Sequence, residues 1–171
     1  FHVGKLKEAR AAIEKATASA RLLGSRDTQV KAEALNAVGA IFVRMLEPAS
    51  ARALATEAVQ LGEQALQKAE GSAPWLPASL LLLGQVQLFQ GDSAGGIKSY
   101  ERALELLPDN SLDRKGPLHA LGEAHLLAGL AGSPSSFAKA QGYYQEAVSL
   151  WQQVLTDGEV RFNTRNFDGV I

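Results

Sequence analysis

A chain of 171 residues has room for one compact domain or a short solenoid. Its net charge of −1 gives no bulk field that would draw in nucleic acid or anionic lipid. It has no cysteine, which excludes disulfides, thiolate nucleophiles and thiolate-bound zinc together, and no apolar run approaches the ~18–20 residues of a membrane-spanning helix.

Helical periodicity dominates and alternating β-branched runs are scarce. The spacing predicts seven helices, over about 3–24, 28–46, 49–70, 75–90, 94–107, 112–130 and 136–156. Gly24-Ser25 ends the first, and Asp27 or Thr28 is placed to cap the second. Pro48 fits the first turn of the third, where a missing N–H costs nothing. Gly71-Ser72-Ala73-Pro74 breaks the third helix from the fourth, Ser93 is placed to cap the fifth, and Pro108 follows it. Gly132-Ser133-Pro134 separates the last pair. Charge is uneven along this series: residues 1–31 hold seven Lys/Arg against Glu8, Glu14 and Asp27. Residues 57–109 hold seven Asp/Glu against Lys68, Lys98 and Arg102. Solvated helix faces account for most of that, with a docking gradient as the alternative.

The middle of the chain carries a motif. Residues 77–110 place Leu80, Leu83 and Gly84 on one helix, Gly91-Asp92 at its end, Tyr100 and Ala103 on a second helix, and Pro108 after it. This window resembles the tetratricopeptide repeat in length and spacing. Leu35, Val38 and Gly39 repeat the first-helix spacing, as do Leu118, Leu121 and Gly122; the second-helix signature returns as Ala51/Ala55/Ala58 and Ala140/Tyr144/Ala147. Ala9, Ile13 and Ala16 look like the second helix of a further repeat. Leu80, Gln87 and Gly96 stand where the family usually has Trp, Tyr and Ala. Glycine and alanine at these points let paired helices approach closely, Tyr100 and Tyr144 fill the space between neighbouring pairs, and stacking buries a continuous core.

The resemblance implies an all-α, right-handed α-solenoid of tetratricopeptide-like helical hairpins, with repeats over residues 1–157 and a non-repeat tail at 158–171. It also implies a non-catalytic role, as a scaffold or adaptor that binds a protein or peptide. Two alternatives stand beside it: a regulatory segment of a larger signalling protein, and a homo-oligomerising assembly factor. In arrays of this kind the first helix of each pair lines a concave groove. That carry-over nominates Asn36, Ala40 and Arg44, then Leu81, Gln85 and Phe89, then His119, Glu123 and Leu127. The mixture suits an extended peptide or a helix, not a purely acidic tail.

Nothing in the residues supports catalysis, a cofactor or a metal. His119 and His125 are six apart and share no helix face, so HALGEAH is not a zinc-binding HExxH. GDSAGG lacks the lysine and spacing of a phosphate-binding loop, and GSPSS has loop composition rather than that of a nucleophile elbow. The expected partners are proteins or peptides, without nucleic acid or membrane insertion, and self-association stays open. The chain starts at Phe1, as a fragment or a processed mature chain would; the expected location is cytoplasmic, with export as the alternative.

Overall fold

The computed structural model describes the backbone of residues 3–22, 28–68 and 72–167, and the side chains of these except 3–7, 9 and 154–167. Seven α-helices and one 3₁₀ turn are described, with no strand among these residues. The helices are α1 Val3–Leu22, α2 Thr28–Arg44, α3 Pro48–Leu66, α4 Leu76–Phe89, α5 Ser93–Glu105, α6 Lys115–Leu130 and α7 Ser135–Phe167. The stops expected at Gly24-Ser25 and Gly71 and the cap at Asp27 lie outside the described residues. The chain forms two compact units, residues 1–103 and 104–171.

In the first unit α2 pairs with α3, and α4 packs on both. Pro48 opens α3 as expected. Small residues set the distances. A Cβ on Gly39 would lie 2.8 Å from Leu82 Cδ2, and one on Gly62 would lie 2.9 Å from the Leu76 Cβ. Ala32, Leu35, Ala51, Ala55, Ala58 and Leu76 are fully buried between these helices. Each buried leucine contributes about 1.5–3 kcal/mol over leaving it in water. Leu82 and Val86 on α4 are buried as well as Leu80. A helix that packs on two sides needs apolar residues around most of its circumference, and α4 has them.

The expected inward tyrosines are found within their hairpins. Tyr100 of α5 packs on Gly84 of α4, and in the second unit Tyr144 of α7 packs on Gly122 of α6. The tyrosine therefore fills the contact inside its own helix pair, against the space left by the missing Cβ. Gly96 is a tight apposition: a Cβ there would sit 2.9 Å from Leu88 Cγ and 3.1 Å from the Gly84 carbonyl oxygen. Gln87 accepts a hydrogen bond from Ser99 Oγ at 2.7 Å and joins the same pair of helices.

Helix ends repeat one device. After α4 and α6, glycines at positive φ (Gly91, +82°; Gly132, +107°) close the last turn. There the N–H of Asp92 donates to Gln87 O and that of Ser133 to Ala128 O. After α2 the same bonds form, with Glu47 N donating to Phe42 O at 2.9 Å, but the residue at positive φ is Leu46. Asp92, not Ser93, caps α5: its Oδ1 accepts from Gly95 N at 2.9 Å. Ser93 is already the first helical residue.

In the second unit Leu118, Ala147 and Leu150 form one core cluster, with Leu104 and Tyr143 packed against it. Arg114, in the 3₁₀ turn Leu112–Arg114, donates to the Leu104 and Leu107 carbonyls and pairs with Asp109 and Glu146. A cation at a helix C-terminus meets the unsatisfied carbonyls there. The sequence reading ends the last helix near 156; the backbone continues as one helix of 33 residues to Phe167. A lone Gly158 costs only ~1 kcal/mol against alanine and does not stop a helix by itself. The tail's apolar side chains, Val160, Phe162 and Phe167, lie outside the described side chains.

Candidate functional site

Two lines of exposed side chains carry the expected groove residues, one in each unit. On α4, Leu81, Gln85 and Phe89 are one turn apart and share a face. Leu81 is half-buried and Gln85 exposed, while Phe89 is 61 % exposed at the end of the helix. The buried set of α4 (Leu76, Ser79, Leu80, Leu82, Gly84 and Val86) lies off this line, whose Gln85 and Phe89 are exposed.

The α2 residues divide. Arg44 is exposed in the last turn of α2. Asn36 and Ala40 are only half-buried, and the Asn36 Nδ2 donates to Ser79 Oγ at 2.8 Å. Ser79 is fully buried and donates onward to the Trp75 carbonyl oxygen at 3.2 Å. Asn36 thus ties α2 to α4, and the open face of α2 runs one residue on, through Ala37 and Ile41.

On α6, His119 and Glu123 lie together, Nδ1 to Oε2 at 3.8 Å, with both side chains largely exposed. Leu127 continues this line at 56 % exposure. The His119 ring meets the Tyr144 edge at 5.8 Å between centroids. Burial, and then the nearby Glu123 carboxylate, push the Tyr144 phenol above the ordinary tyrosine value. His125 is different in kind: it is buried and stacked on Tyr143 at 5.6 Å, so it belongs to the packing of the second unit.

Part of the basic stretch is paired within the first unit. Arg21 and Lys31 from the basic stretch both pair with Glu57 of α3, at 3.1 and 3.3 Å, and Arg10 approaches Glu47 at 3.5 Å. Three cations thus share two carboxylates across the first unit's own helices. Exposed pairs of this kind contribute little to stability, about 0–1 kcal/mol each.

Among the described residues no group of three or more His, Asp or Glu is placed to hold a metal ion, and no helix is long and apolar enough to cross a membrane. A search of curated proteins gives no match to this chain. The family model of the tetratricopeptide repeat matches residues 77–110, the window that contains Gly84 on α4 and Tyr100 on α5. Repeats of this kind serve in general as scaffolds for protein interaction. The matched window, with its close glycine–tyrosine contact between paired helices, is similar to a tetratricopeptide repeat.

Proposed function

We propose that this chain is a non-catalytic scaffold or adaptor, which binds a peptide or protein segment through exposed faces of α2, α4 and α6. The observation that carries the reading is Phe89. A large aromatic 61 % exposed, in line with Leu81 and Gln85 on a helix whose other faces are packed, has the character of an anchor for a partner. Gln85 beside it and Arg44 on α2 supply polar groups that fix orientation. In the second unit His119 and Glu123 play the same part beside Leu127. An extended peptide or a helix with apolar anchors and mixed polar flanks matches this lining.

Photo-crosslinking tests the reading. A photoreactive residue in place of Gln85 should capture a partner that excess unmodified chain competes away, and one in place of Lys98, exposed on α5, should not. Equal capture from both positions would remove the α4 face from the account.

A further inference from the structure

The second unit has an apolar depression of about 710 Å³ on the face of α6 and α7, lined by Leu126, Phe137, Tyr144, Gln145 and Val148. The molecule contains its own template for what such a face receives. With Ala51, Ala55 and Ala58 of α3 aligned on Ala140, Tyr144 and Ala147 of α7, Arg52 corresponds to Gln141, Val59 to Val148 and Glu63 to Gln152. In the first unit α4 and α5 lie beside that line of α3 and leave Arg52 exposed. Arg52 Nη1 donates to Gln90 Oε1 at the end of α4 (2.7 Å), Gly62 accepts Leu76 at the start of α4, and Glu63 pairs with Arg102 of α5 (3.5 Å). The two valines show the difference: Val59 is half-buried, whereas Val148 is 53 % exposed.

We propose that the α6/α7 face is a second docking site, which takes one amphipathic helix of a partner protein as α2 and α3 take α4. It is independent of the α4 face described above. The depression is lined by apolar side chains and by the uncharged Gln141, Gln145, Ser149 and Gln152. The occupant therefore presents leucine or valine at one-turn spacing with uncharged polar flanks, and recognition is of the helix-in-groove kind. The two faces differ at one point: Trp151, with Lys115 Nζ 4.6 Å from its ring centroid, stands where α3 has Gly62.

The probe is a labelled peptide of residues 77–90, the α4 sequence without Leu76, carrying terminal lysines for solubility, titrated into the full chain by fluorescence anisotropy. Saturable binding is expected, weakened at least ~tenfold by Val148→Asp and by Gln145→Asp. It should change less than ~twofold between about 0.05 and 0.5 M salt, because the lining is uncharged. Both substituted positions are exposed, and circular dichroism with thermal melts confirms that the variants keep the fold. No saturation by ~1 mM peptide overturns the proposal, as does equal binding to the Val148→Asp variant. So does a parent chain that sediments as a dimer and becomes monomeric on Val148→Asp, since a second copy would then cover the face.

Discussion

Tyr100 packs directly on Gly84, so closely that a Cβ on the glycine would fall 2.7 Å from the ring's Cδ1. Real Cβ atoms do not approach an aromatic ring so closely, and a ring that is 4 % exposed has little room to retreat. Tyr100→Ala should cost ~3–5 kcal/mol by leaving a cavity. Gly84→Ala should cost ~1–3 kcal/mol by overpacking. The double variant should be less destabilised than the two losses summed, because the cavity of one accommodates the methyl of the other. Urea unfolding of the four proteins decides it, and simple additivity would mean that the two residues do not share this contact.

Leu46 does at the end of α2 what Gly91 and Gly132 do elsewhere, at φ +58° and with its side chain 78 % exposed. A left-handed conformation costs a non-glycine residue ~1–2 kcal/mol, and little buried area is lost by removing the side chain. Leu46→Gly should therefore stabilise the chain by ~0.5–1 kcal/mol, after the added freedom of glycine in the unfolded state is subtracted. A lowered melting temperature would show that Leu46 makes a contact worth more than its strain.

The repeat register places Asn36 in the groove, and its amide holds Ser79. Asn36→Ala should lower stability by ~1–2 kcal/mol, because it removes a hydrogen bond from a fully buried hydroxyl. Its effect on partner affinity, measured on the folded fraction, should be small. A variant of unchanged stability and much weaker binding would return Asn36 to the groove.

Tyr144 links pH to the second unit. Its folded value lies above the ordinary 10.0, for reasons of burial first and Glu123 second. A raised phenol pKa means that the neutral form is favoured in the folded chain. That contribution is present in full below the unfolded value near 10 and is lost as pH rises through the folded one. Between about pH 9 and 11 the parent should lose stability more steeply than Tyr144→Phe, and Glu123→Gln should lessen the difference. Parallel curves for parent and Tyr144→Phe in urea titrations would remove the linkage.

The repeats were legible because their chemistry is local in sequence. Gly84, Tyr100 and Ala103 keep fixed spacings, and the same small and aromatic residues return around Gly39 and Gly122. What was not legible depends on partners distant in the chain, or on helices that are apolar on several faces. Leu82 and Val86 are buried on a helix that packs on α2 and α3 and also meets α5 through Gly84 and Tyr100; an apolar run gives no direction from which to read that. Asn36 and Ser79 are 43 residues apart, and only packing brings them together. The cap at Leu46 carries no glycine signal, and Arg114 has no motif around it. On α4 the exposed residues Gln85 and Phe89 follow from the repeat register, whereas on α2 Ala37 and Ile41 are exposed where Asn36 and Ala40 are half-buried.

The central claim concerns Phe89 and its neighbours. Titration calorimetry with the partner captured at α4 should show Phe89→Ala and Arg44→Ala each weakening binding by ~1–3 kcal/mol, with far-ultraviolet circular dichroism unchanged. Lys98→Ala, on the exposed side of α5, should change it by less than ~0.5 kcal/mol. Equal losses at Phe89, Arg44 and Lys98, or no loss at Phe89, would contradict the account and place binding on another surface.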